Sequence, residues 1–119
     1  MKQEGIELLF KDLFARLPYG VKGIITYDKS NTIFTVEGID NNVLHLSDAE
    51  ECYVEDFKPY FRPMSSMTEE EKDTYDALTM CNAPWVVNDW LNANHFDYRG
   101  LIEKGLAFKA PEGMYNLDK

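Results

Sequence analysis

Cysteine is scarce in this chain, and positive charge is outnumbered by negative. The 119 residues include two cysteines, Cys52 and Cys81. They are too few and too far apart for a disulfide framework or a Cys-x-x-Cys metal site. The two histidines, His45 and His95, add no ligand spacing, so no metal is expected. Both thiols are read as buried, since a free cysteine behaves as a small hydrophobe. Lys and Arg total 12 against 21 Asp and Glu, a net charge of -9 with a pI near 4.6. Such a balance opposes phosphate backbones and anionic membranes, which are held by clustered cations that displace counterions. A Gly-rich phosphate loop is absent, and so is a glycine-centred calcium loop, so no nucleotide or other cofactor is indicated. No apolar run approaches the ~20 residues that span a bilayer. The first residues, MKQEGIELLFKDLF, carry acids inside their apolar part and no small-residue cleavage site, which makes a poor signal peptide. A cytoplasmic protein is the expectation.

What is present suffices for one folded domain. Hydrophobic residues make up 45% of the chain and aromatics 13%, well above what disordered chains carry. The stretch VEDFKPYFRPMSSMTEEEK, residues 54–72, organises the remainder. Pro59 and Pro63 fix φ and push Lys58 and Arg62 toward extended geometry, so Tyr60 and Phe61 sit on a stiff strap. A strap of this kind is expected to clamp a β part, about residues 20–62, to a helical part, about 66–105, without itself continuing a helix or a central strand.

Ile6, Leu9, Phe10, Leu13, Phe14 and Leu17 recur at helical spacing, with Glu7, Lys11, Asp12 and Arg16 assigned to the other faces. Pro18 and Gly20 end this helix. The pattern then turns to β: residues 21–27, 32–37, 43–46 and 52–54 read as four short strands, separated by turn clusters at 28–31, 38–42 and 47–51. Phe34 and Val36 fall on one face and Ile33 and Thr35 on the other. Ser66 with Glu69 and Thr68 with Glu71 form overlapping capping boxes that open a second helix, running to about Met80. A third follows, with Asn82 as its cap, Pro84 in its first turn, and Trp85 and Trp90 as anchors. A single turn closed by Gly105 and a last strand within 106–110 complete the reading. The fold class is α+β: a small antiparallel sheet, or a half-open barrel like that of Src-homology-type domains, of four to five strands with an N-terminal helix and a C-terminal helical half.

Four blocks stand out as a set: LPYGVK (17–22), KPYFRPMSSMTEEE (58–71), DWLN (89–92) and HFDYRGLIEKGLA (95–107). In these the chain resembles a family of small uncharacterised proteins frequent in gut anaerobic bacteria and their phages and mobile elements. The resemblance implies that genomic setting and supplies no catalytic residue. The family carries a His pair before the Phe of the last block where this chain has Asn94 and His95, which weakens a metal reading of that site.

His95, Asp97, Tyr98 and Arg99 make the densest polar-aromatic group, and a His beside a carboxylate can serve as a general base. The same residues suit a loop in which Asp97 caps the next turn and Arg99 pairs with an acid, and no nucleophile elbow lies nearby. Asp48, Glu50, Glu51, Glu55 and Asp56 form one acidic cluster, and Glu69, Glu70, Glu71, Asp73 and Asp76 another. Together with Tyr60 and Phe61, the first cluster and the Tyr98–Arg99 pair are the candidate binding residues. The function expected is a non-enzymatic interaction or regulatory module with an acidic surface and a protein partner that presents a basic face. Its rival is a small enzyme using His95 and Asp97.

Overall fold

A computed structural model describes residues 3–81 and 83–115. Helix α1, Gln3–Ala15, is followed by a 3₁₀ turn at Leu17–Tyr19 and by Gly20 at φ +68°, a left-handed turn that releases the chain into the sheet. The strands are β1 Lys22–Ile25, β2 Phe34–Asp40, β3 Val43–Leu46, β4 Glu51–Tyr53, β5 Phe57–Phe61 and β6 Phe108–Lys109. They lie in the order β4-β3-β2-β1-β5-β6, antiparallel throughout except for the parallel β5–β6 pair. Helices α2, Glu69–Met80, and α3, Pro84–Ala93, fill the span between β5 and β6. This is an α+β domain, and its sheet stays open.

Among the described residues six strands form, rather than four or five, because the strap itself is a strand. Pro59 lies opposite Gly23, inside the sheet. The hydrogen bond from Thr26 N to Asp56 O sets the parity of β5: residues 56, 58 and 60 aim their peptide groups at β1, and 57, 59 and 61 aim away. Pro59 therefore takes no bond from β1. On its other side β6 begins only at Phe108, opposite Tyr60, so the missing N–H meets no partner strand. Gly23 is required for this pairing, since a Cβ there would lie 2.5 Å from the Phe57 ring and 2.6 Å from the Lys58 carbonyl oxygen.

Other sequence readings shift by a few residues. Gly38, Ile39 and Asp40 belong to β2, with a bulge between Val36 and Gly38, and the turn contracts to Asn41 and Asn42, where Asn41 takes φ +56°. Of the two capping boxes only Thr68 with Glu71 forms; Ser66 Oγ donates instead to Pro63 O. Asn82 lies outside the described residues. Trp85 is 72% exposed and anchors nothing, and Cys81 is exposed whereas Cys52 is buried.

The main core joins Leu9 and Leu13 of α1 to the inward residues of the strands, Phe34, Val36, Leu44, Leu46, Phe57 and Phe61, with Leu101 and Leu106 from the last loop. A smaller cluster of Met67, Leu91 and Phe96, flanked by Tyr75 and Trp90, seats α2 and α3. Where the two meet, Arg62 binds Glu71 through two hydrogen bonds of 2.7 and 2.9 Å, and Arg62 N donates to His95 O at 2.8 Å. The strap therefore clamps the two parts, through Arg62 as much as through its aromatics.

Candidate functional site

The buried face of α1 is not the one the apolar stripe suggests. Leu9, Asp12, Leu13 and Arg16 lie three or four apart and share a face that is 0–1% exposed; Phe14 lies further round and is 59% exposed. Helical spacing puts Asp12 and Arg16 on faces other than the apolar one, yet both are fully buried, because they neutralise each other at i,i+4. Arg16 donates to Asp12 from Nε at 2.8 Å and from Nη2 at 3.3 Å, and Arg99 Nη1 reaches the same carboxylate at 2.7 Å. Arg16 also donates to Phe96 O, with its guanidinium 4.1 Å over the Phe61 ring and 5.3 Å from that of Tyr98. One carboxylate thus stands between two guanidinium groups. This buried hub joins α1, β5 and the 95–99 loop, and its charges leave water only because each is paired or hydrogen-bonded. Among the side-chain nitrogens and oxygens of the described residues, Arg16 Nη1 and His95 Nδ1 alone are buried without a hydrogen-bond partner.

His95 sits at φ +63° and is 4% exposed. Its ring stacks on Tyr115 with centroids 3.7 Å apart and planes at 12°. Burial first, then the cations Arg16, Arg62 and Lys22, push its pKa down to about 4, so it is neutral near pH 7. Asp97 does not face it as a partner. Both Asp97 oxygens accept main-chain protons, from Leu101 N at 2.8 Å and Ile102 N at 2.9 Å, which caps the turn that follows. Each Asp97 oxygen is engaged by an amide and the His95 ring is stacked under a tyrosine, and no hydrogen bond joins the two side chains. Tyr98 donates to the buried Asn92 at 2.9 Å, and Arg99 serves Asp12, so these two half-buried side chains also build the loop.

Of the remaining candidates, Phe61 is fully buried and belongs to the core, while Tyr60 is half-buried with its ring 5.3 Å from that of Phe108. Asp48, Glu50, Glu51 and Glu55 are exposed and Asp56 is half-buried. They line β4 and the corners before and after it, where Glu51 lies 3.0 Å from His45 and Glu55 accepts from Asn42 at 3.3 Å. Neither contact builds a concave site. The Cys52 thiol is pushed up to about 12 by burial and then by Asp56, which leaves it inert. Among the described residues no group of three or more His, Cys, Asp or Glu could hold a metal ion, and no helix is long and apolar enough to cross a membrane.

Two features escaped the sequence reading. One is the Asp12–Arg16 pair, whose i,i+4 spacing within an apolar stripe was its signal. The other is the exposed apolar corner after α2, whose acidic surface the sequence does show. No residue of α2 is buried, and Glu69, Glu70, Asp73 and Asp76 are exposed along it. At its end Met80 is 85%, Trp85 72% and Val86 40% exposed. Beside them Thr79, Ala83, Pro84, Val87 and Asn88 line a shallow hollow of about 240 Å³. No protein family, curated protein or solved structure matches the chain.

Proposed function

We propose that this domain is a non-enzymatic protein-interaction module, regulatory in role, which presents helix α2 and the α2–α3 corner to a protein partner. The observation that carries the reading is an exposed tryptophan in the first turn of α3 and an exposed methionine at the end of α2, a helix in which no residue is fully buried. A solvent-exposed Trp is costly to leave wet, and Trp is prominent among residues that dominate binding energy at interfaces. The acids along α2 and the net charge of -9 select a partner with a basic face around an apolar pocket. The resemblance to proteins of phages and mobile elements of gut anaerobes supplies the setting, in which a small acidic domain would meet a host protein in the cytoplasm. Catalysis by His95 and Asp97 is disfavoured by the capping role of Asp97, the stacked ring of His95 and the lack of a hydrogen bond between the two side chains. Affinity purification from expressing cells, wild type beside Trp85→Ala, tests the proposal. A basic protein should co-purify with the wild type, fall at least about tenfold with the variant, and elute as salt rises. Equal recovery with both would overturn the assignment of the surface.

A further inference from the structure

Residues 111–115 turn back across the sheet after β6, with Met114 N bonded to Pro111 O at 3.1 Å and Gly113 at φ +84°. Among the described residues, every hydrogen bond joining this strap to the body runs through one atom, the Tyr115 hydroxyl. It accepts from Lys22 N at 2.8 Å, and Tyr60 O at 2.8 Å and Lys22 O at 3.3 Å stand ready to take its proton. The ring lies flat on the buried imidazole of His95. One amide donor, two carbonyl acceptors and a flat aromatic floor together complement a phenol, atom for atom. Tyr115 is also one wall of a cleft of about 950 Å³, bounded by Arg62, Trp90 and Asn94 on one side and Lys109 and Glu112 on the other. The cleft thus reaches the occupant of the socket, Tyr115 itself.

We propose that this socket is a binding site for a phenol ring, such as a tyrosine side chain of another chain, which Tyr115 fills in cis as a displaceable occupant. Displacement is open to competition because the occupant follows a short exposed turn and, apart from its stack on His95, its hydrogen bonds to the body all run through one atom. When Tyr115 leaves, the His95 ring loses its cover while Arg16, Lys22 and Arg62 still face it, so the histidine reports on the state of the socket.

The test uses p-cresol, with toluene as the ring that lacks a hydroxyl, read by NMR at the His95 ring and the Lys22 amide. Tyr115→Ala should bind p-cresol saturably, about tenfold more tightly than toluene, the discrimination that one or two buried hydrogen bonds provide. Binding should restore the slow exchange of the Lys22 amide. Wild type should bind p-cresol at the same signals and at least about tenfold more weakly, because its own ring competes. Equal affinity for p-cresol and toluene, equal affinity of variant and wild type, or a wild type that p-cresol never perturbs would each overturn the proposal. If Tyr115→Ala does not fold, Tyr115→Phe keeps the ring and loses the hydroxyl. Faster exchange of the Lys22 amide with the His95 ring signals unmoved is then expected, and unchanged exchange refutes the latch.

Discussion

Removing Asp12 should unfold this domain more readily than removing most of its apolar side chains. In Asp12→Ala, Arg16 stays fully buried with Phe96 O as its hydrogen-bond partner, and Arg99 loses the carboxylate it reaches at 2.7 Å. Three charge-assisted hydrogen bonds vanish, and two guanidinium groups face each other with no anion between them. Breaking a buried pair from one side costs about 3–5 kcal/mol, which for a chain of this size lowers Tm by roughly 10–20 °C. The double variant Asp12→Ala, Arg16→Met leaves no orphaned buried cation at position 16. It should therefore be less destabilised than the sum of its single variants, by about 2 kcal/mol or more. Urea unfolding of the four proteins, with equal m-values as the check on two-state behaviour, measures this. A cost below about 1 kcal/mol for Asp12→Ala, or strict additivity in the cycle, would show that the hub does not hold α1 to the loop.

Two further outcomes follow from burial. Phe61→Ala should cost about 3–5 kcal/mol, because the ring is fully buried under Arg16, whereas Trp85→Ala should change stability by less than about 0.5 kcal/mol; comparable losses would mean that the α2–α3 corner is packed. His95 makes stability depend on pH: its folded pKa of about 4 lies below the ordinary 6.5, so the unfolded chain binds the proton first. Its contribution is complete above pH 6.5 and is lost as pH falls toward 4, on the order of 3 kcal/mol in all, and His95→Gln should flatten that part of the profile in acid titration of unfolding.

The elements that were legible in the sequence are those whose local signals agree with their tertiary surroundings. Thr68 and Glu71 announce α2, Pro84 opens α3, and Phe34 with Val36 names the inward face of β2. Asp97 was legible as a cap, since its carboxylate serves amides only four and five residues on. What failed depends on distant partners. Pro59 argues locally against a central strand, and only the late start of β6 makes room for it. Asp12 and Arg16 look like a solvated pair until Arg99, 87 residues away, and the Phe96 carbonyl close over them. Tyr115 carries no local pattern at all, because the residues it binds, Lys22 and Tyr60, are far from it in the chain. Trp85 was misread because a wide apolar helix face can meet either a core or a partner, and periodicity does not distinguish them.

The claim that the α2–α3 corner meets a partner is tested most directly by photo-crosslinking in expressing cells, with benzoylphenylalanine placed at position 85 and, as the control, at Tyr27, which is 65% exposed in the turn after β1. The account predicts one dominant adduct at position 85, joined to a lysine- or arginine-rich segment of a single protein and lost when Glu69, Glu70, Asp73 and Asp76 are neutralised. Adducts of equal yield at both positions, or an adduct at 85 to an acidic protein, would contradict it.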